Sequence, residues 1–172
     1  LAAGHLDDPV LSEPLPGQLG RSLQASVEHL QQSIADREEL HRRLAHEATH
    51  DGLTGVANRT AAMFALDAGL ARNRRRGTVL AVLLIDLDDF KRTNDTLGQA
   101  SGDEVLRETS RRLCSLARTD DTVARLGGDQ FLLVAEGIDS IHDAVAIAER
   151  IVDALAEPME IAGKSLRIGA SV

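Results

Sequence analysis

The stretch Leu80 to Asp89, LAVLLIDLDD, constrains this chain most. An almost unbroken apolar run ends in three acids, Asp86, Asp88 and Asp89. A run of that length reads as a buried central strand. Acids at a strand exit repel one another, and a Mg²⁺ ion relieves that repulsion while gripping phosphate oxygens. Two readings stand side by side: a metal–nucleotide site at the end of a central strand, and a solvated Asp-rich turn.

The 172 residues leave room for one core domain and a short appendage. A net charge of −8 argues against a nucleic-acid polymer as partner. A single cysteine, Cys114, excludes an internal disulfide framework and fits a reducing, cytoplasmic compartment. No apolar stretch approaches membrane-span length, so no direct membrane contact is expected of this stretch, whatever anchors its parent. The chain starts without Met and stops inside a strand-like stretch, which reads as a fragment of a larger protein.

Residues 1–19 hold Pro9, Pro14 and Pro16 and read as a linker. Residues 20–50 read as a helix. Leu23, Val27, Leu30 and Ile34 form a short heptad-like seam, which Leu40 and Leu44 then shift. A paired helix is favoured over one lying on its own domain. His46-Glu47-Ala48-Thr49-His50 matches H-E-x-x-H, but Asp51-Gly52 stops the helix at once, against a catalytic zinc. Asn58 is the expected N-cap of a helix to about Arg74, with Met63, Leu66 and Leu70 on one face and Gly77 at its end. After Asp89 the pattern predicts a short helix closed by Gly98. A longer one should open at Gly102-Asp103, with Val105, Leu106, Thr109, Leu113 and Leu116 inward and Cys114 packing beside them.

Thr122–Leu126 and Asp129–Ala135 are strand-like and flank Gly127-Gly128, a strong hairpin signal. The glycines leave backbone N–H groups open to a phosphate. Paired beside the central strand, the hairpin brings Asp129 to Asp86 as a split carboxylate site. Ser140–Ala156 reads as a helix with Val145, Ala148, Ile151, Val152 and Leu155 inward. Met159–Ala162 and Lys164–Val172 follow as a strand pair turning at Gly163. Crossover helices beside an antiparallel hairpin indicate an α+β sandwich of the split βαβ kind.

These motifs resemble, in order and spacing, the GGDEF domain of bacterial diguanylate cyclases. The matching stretches are DGLTGVANR, LLIDLDDFKRTNDTLGQASGDEVL and Ala124-Arg125-Leu126 before Gly127-Gly128-Asp129-Gln130-Phe131, within residues 51–172. The resemblance implies a palm-like fold akin to nucleotide cyclases and polymerases, ferredoxin-like, with a central antiparallel sheet flanked by helices. It implies condensation of two GTP into cyclic di-GMP and pyrophosphate between two domains. Mg²⁺ or Mn²⁺ would be held by Asp86, the Leu87 carbonyl and Asp129. Asn94 and Asp103 would bond guanine, which an amide and a carboxylate can read through O6, N1–H and N2–H. Lys91 would face the phosphates, Gly127 and Gly128 would approach them, Phe90 would pack beneath, and Asp129 would help deprotonate the 3′-hydroxyl. Arg118-Thr119-Asp120-Asp121 resembles the R-x-x-D inhibitory site for cyclic di-GMP, against the competing reading of a capping turn. The residues before Asp51 resemble the family's signalling helix. A homodimer through that helix and the inhibitory site is implied.

Gln130 departs from the pattern: it replaces the usual glutamate, keeping hydrogen-bonding shape and losing a negative charge. Gln99 stands where many members have histidine. The family's final helix and its basic residues do not occur before Val172. The stretch AERIVDALAEPMEIAGKSLRIGASV looks like members fused to an EAL phosphodiesterase domain. Two functions therefore compete: a product-inhibited cyclase, and a degenerate module binding GTP or cyclic di-GMP without turnover.

Overall fold

The computed structural model describes residues 17–172, as two compact units, one up to His46 and one of Glu47–Val172. Residues 1–16 of the expected linker lie outside the described residues, as does the side chain of Leu23. Helix α1, Gly17–Thr49, begins inside the stretch expected as linker. Its Leu30, Ile34, Leu40 and Leu44 are exposed, and Val27 is half-buried.

The second unit continues β1 (Ala57–Asn58), α2 (Arg59–Arg76), β2 (Val79–Leu87), α3 (Phe90–Leu97), α4 (Gln99–Leu116), β3 (Thr122–Gly127) and β4 (Gln130–Ile138). Then come α5 (Ile141–Ala156), β5 (Met159–Ile161), β6 (Lys164–Leu166) and β7 (Ala170–Ser171). Five strands form one sheet in the order β1-β3-β4-β2-β7, antiparallel except for the β1–β3 pair. β5 and β6 form a separate hairpin. This is the α+β fold with a mostly antiparallel central sheet that the sequence implies.

The strand buried on both faces is β4, not β2. Every residue from Phe131 to Ala135 is buried. In β2, Leu83, Ile85 and Leu87 are buried while Val82 and Leu84 are about half exposed. The reason is helix placement. Phe131 and Leu133 join Ile85, Val105, Leu113, Ile151 and Leu155 in the main core. On the opposite face Leu132 and Val134 join Ala62 and Ala124 in a smaller one. α2 covers that second face over β3 and β4 more than over β2.

α2 packs through small residues rather than the expected Met63–Leu66–Leu70 face. Ala62 is fully buried, while Met63 and Leu70 are exposed. A Cβ on Gly69 would sit 2.6 Å from Leu80 Cδ1, so glycine here permits close helix–sheet approach. The Asn58 side chain accepts from the Ala61 N–H, and Gly77, in the left-handed region, closes the helix two residues beyond the expected end. Arg72 pairs with Glu136 of β4.

α4 starts at Gln99, three residues before the expected opening, so Gly102 lies within the helix. Cys114 is exposed, contrary to the packing reading. α5 buries Ile151 and Leu155 and packs Ala148 inward as expected, but Val145 and Val152 face outward; Ala144 and Ile147 pack inward instead. The expected Lys164–Val172 strand is two strands, and β7 joins the main sheet beside β2.

Arg112 ties α4 to the end of α5. Its guanidinium donates to the carbonyls of Ala154, Glu157 and Pro158 at 2.6–2.8 Å and to Glu108 at 2.8 Å. It thereby satisfies carbonyls that a helix end leaves unpaired. Hydrogen bonds from Arg111, opposed by partial burial and aided by Arg112, hold the Glu108 carboxyl down at about 2. The folded domain therefore binds fewer protons than the unfolded chain between about 4.5 and 2. Glu108 should contribute full stability above that window and lose it as pH falls through it. Urea unfolding should show the acid-side decline flattened in Glu108→Gln. Arg112→Met should cost roughly 1–2 kcal/mol at neutral pH, the penalty of leaving part-buried carbonyls unpaired.

Candidate functional site

Chain reversal after β2 builds the first half of the site. Asp89 takes a left-handed conformation, φ 55°, and turns the chain directly into α3. Aspartate tolerates this region better than most residues. Phe90 is buried beneath the turn. Asp88 faces β7: Ser171 Oγ donates to its Oδ1 at 2.9 Å, and the Asp88 N–H donates to the Gly169 carbonyl. Asp88 is thereby engaged in joining strands. Asp86 stands opposite Ser171 of β7 on one side and opposite Gln130 of β4 on the other.

The hairpin builds the second half. Gly127 pairs with Gln130, so the two-residue turn is Gly128-Asp129, one position beyond the Gly127-Gly128 turn expected from sequence. The register shift between Arg125 and Gly127 accounts for the difference: one extra residue sits in β3. Gly127 and Gly128 have φ of 130° and 57°, values that L side chains adopt with strain. Asp129, half-buried, sits at the tip, adjacent in sequence to the residue opposite Asp86.

Gln130 makes the contact most specific to this chain. Its Nε2 donates to Asp86 Oδ2 at 3.0 Å. Asp86, the Leu87 carbonyl and Asp129 offer only oxygen donors, which suits a hard divalent ion. Among the described residues no group of three or more His, Cys, Asp or Glu converges as a metal cage. At Asp86 and Asp129 an ion would need carbonyl, water or phosphate oxygens to complete its shell.

Beside the carboxylates lies an open cleft of about 410 Å³. Asn94, Asp103, Gln99, Phe90, Arg125 and Gly128 line it. Asn94 is locked against α4: a Cβ on Gly102 would fall 1.8 Å from its Oδ1. That Oδ1 is buried without a hydrogen-bond partner. Lys91 is exposed and lines no described cleft wall with these residues.

Arg125 was not among the sequence-derived site residues. Its Nε and Nη2 donate to the Gly128 carbonyl at 3.1 and 2.7 Å, and its Nη1 to both Asp51 carboxylate oxygens at 3.1 and 3.3 Å. It clamps the hairpin tip to the Asp51–Thr54 turn. Partial burial pushes the Asp51 carboxyl up, but the Thr54 hydroxyl and N–H together with Arg125 outweigh it and hold the carboxyl below its ordinary value. The available signal was an arginine two residues before a Gly-Gly turn.

Arg118 and Asp121 sit apart from this cleft in a tight turn. Asp121 Oδ2 accepts from the Arg118 N–H at 2.8 Å, and Oδ1 from the Glu136 N–H at 3.3 Å. Asp121 thus closes the turn between α4 and β3. The Arg118 side chain lines a separate cleft of about 200 Å³ with Asp139, Asp143 and Arg150.

Comparison with known proteins matches this architecture. Residues 48–172 match the family described as diguanylate cyclase, GGDEF domain. The chain belongs to the GGDEF family. It is 41% identical over 132 residues to the cyclic di-GMP phosphodiesterase NbdA of Pseudomonas aeruginosa, covering 77% of this chain and 17% of that protein. It is 37% identical over 148 residues to the diguanylate cyclase TpbB of the same species, covering 86% and 34%. The coiled coil and GGDEF domain of DgcB from Caulobacter crescentus, solved in complex with c-di-GMP, is similar with a TM-score of 0.75 at 27% identity. That match covers 87% of this chain and 80% of the other. The chain spans well under two thirds of the length of NbdA and TpbB. Among the described residues no helix is long and apolar enough to cross a membrane.

The Arg125 clamp predicts that Arg125→Gln loosens the hairpin tip. Hydrogen exchange at Gly128–Gln130 should accelerate, with a stability loss of roughly 1–3 kcal/mol from the unpaired carbonyl and carboxylate. Unchanged exchange there would show that the tip holds itself.

Proposed function

We propose that this domain binds GTP and condenses two molecules of it into cyclic di-GMP, releasing pyrophosphate, with each of two domain copies presenting one GTP. The observation that carries this reading is the shared cleft of Asn94, Asp103 and Gly128 beside the strand-exit acid Asp86 and the hairpin acid Asp129. Asn94 and Asp103 supply donor and acceptor groups to guanine. Gly127 and Gly128 leave room for phosphate oxygens at the hairpin backbone. A divalent ion, Mg²⁺ or Mn²⁺, held by Asp86, the Leu87 carbonyl and Asp129, supplies charge stabilisation to the phosphates when bound. Asp129 accepts the proton of the 3′-hydroxyl as that oxygen attacks the α-phosphorus of the facing GTP. Lys91, exposed at the start of α3, adds positive charge for the phosphates.

A second reading rests on one contact. The Gln130–Asp86 hydrogen bond engages a carboxylate oxygen that a metal would otherwise use. It favours a regulatory module that binds GTP or cyclic di-GMP without turnover, and a parent carrying an EAL domain fits that role. The name of the relative NbdA, a phosphodiesterase, points the same way. We further propose that Arg118, with Arg150 across its cleft, takes the anionic product, and Asp121 a guanine edge, as a product-inhibition site. Pairing of two copies through α1, whose Leu30, Ile34, Leu40 and Leu44 are exposed, would bring two such domains together.

Incubation with GTP and Mn²⁺, followed by chromatography, should yield cyclic di-GMP. GTP binding with no product selects the regulatory reading. Gly102→Ala should displace Asn94 and weaken GTP binding roughly tenfold, about the worth of one hydrogen-bonded contact. Binding of ATP, poor to begin with, should not change. In equilibrium titration, Arg118→Ala should abolish cyclic di-GMP binding at the second cleft; unchanged affinity refutes that assignment.

A further inference from the structure

Gln130 and Asp86 are direct register partners across β4 and β2, and both are half-buried. Gln130 Nε2 donates to Asp86 Oδ2 at 3.0 Å. Only the N–H end of an amide can meet a carboxylate oxygen, so the contact orients the whole side chain. We propose that Gln130 is a positioning residue that does part of a cation's work at Asp86, holding its carboxylate in the metal-free domain and competing with a divalent ion for it. The inference rests on the reading of Asp86 and Asp129 as the metal carboxylates.

The argument is electrostatic. A glutamate at position 130 would set two carboxylates directly opposite each other on antiparallel strands, which destabilises the pair. A divalent ion relieves that repulsion, and the relief is part of what drives it to bind. Glutamine removes the repulsion and substitutes an attractive hydrogen bond. It also occupies one of the acceptor positions on Asp86 that an ion would take. The hairpin tip therefore keeps its register without metal, and metal binding is correspondingly weaker. The geometry around the pair agrees. Arg125 holds the neighbouring Gly128 carbonyl, so the tip has a second support that needs no ion.

The test is Mn²⁺ titration by calorimetry together with thermal melting in EDTA and at saturating Mn²⁺. The proteins are the wild-type chain, Gln130→Glu, Gln130→Met and Asp86→Asn. Gln130→Glu should bind Mn²⁺ at least roughly tenfold more tightly, since ligand charge tunes such sites. In EDTA it should melt about 2–4 °C lower, and Mn²⁺ should reverse the drop. Gln130→Met, similar in volume but without a donor, should also melt lower than wild type in EDTA. A side chain acting by packing alone would not give that result. Equal Mn²⁺ affinity in wild type and Gln130→Glu, or wild-type melting of both variants in EDTA, overturns the role of Gln130. Mn²⁺ binding that survives Asp86→Asn overturns the metal reading of the site and this inference with it. Neither readout uses GTP turnover, so the cyclase reading stands or falls separately.

Discussion

The antiparallel register of β2 against β4 is the constraint on which the rest of this domain depends. It sets Asp86 opposite Gln130 and so carries the hairpin tip, one residue away, to the exit of β2. A slip by one residue would turn every side chain of one strand to the wrong face. Burial guards against that slip. Ile85 and Phe131 are fully buried in the same core, and Leu132 and Val134 are buried on the opposite face. The apolar strands thereby hold a polar site in place at their ends, where the sheet stops and the helices begin.

Two further contacts convert that register into a cleft. The Asp89 turn sends α3 away from the strand with Asn94 facing α4, and Gly102 gives Asn94 its space. Arg125 then holds the Gly128 carbonyl and Asp51 together. The Arg125–Asp51 pair joins residues 74 apart in sequence, so that clamp exists only once the sheet has formed. Its polar groups are unevenly satisfied: Asn94 Oδ1 has no partner, whereas Asp86 Oδ2 already has one. The buried Asn94 Oδ1 is turned toward Gly102 of α4, and the paired Asp86 carboxylate opposes an ion.

Much of the fold was legible because its signals are local. The Asn58 cap, the Gly77 and Gly98 stops and the Gly-Gly hairpin each follow from the conformational preferences of one or two residues. Errors arose where packing decides. Val145 and Val152 look inward by helical period but face outward, because α5 touches the sheet through Ala144, Ile147 and Ala148. The run Leu80–Leu87 looks buried throughout, yet Val82 and Leu84 have no helix above them comparable to the cover that β4 receives. Apolar content records what a residue tolerates, whereas the position of a neighbouring helix determines what is covered.

From its own residues the sequence determined the family, the mixed α+β class and the acids, amide and glycines of the candidate site. Those are matters of residue type at fixed spacing, and spacing along the chain needs no fold to be read. Only the tertiary structure decided that β4 is the central strand, that the turn falls at Gly128-Asp129, that Arg125 bridges to Asp51, and that Gln130 faces Asp86. Each depends on which segments pair across the sheet. Cross-strand register is a long-range property, fixed by burying two faces of β4 at once, and no single stretch of sequence contains both sides of it.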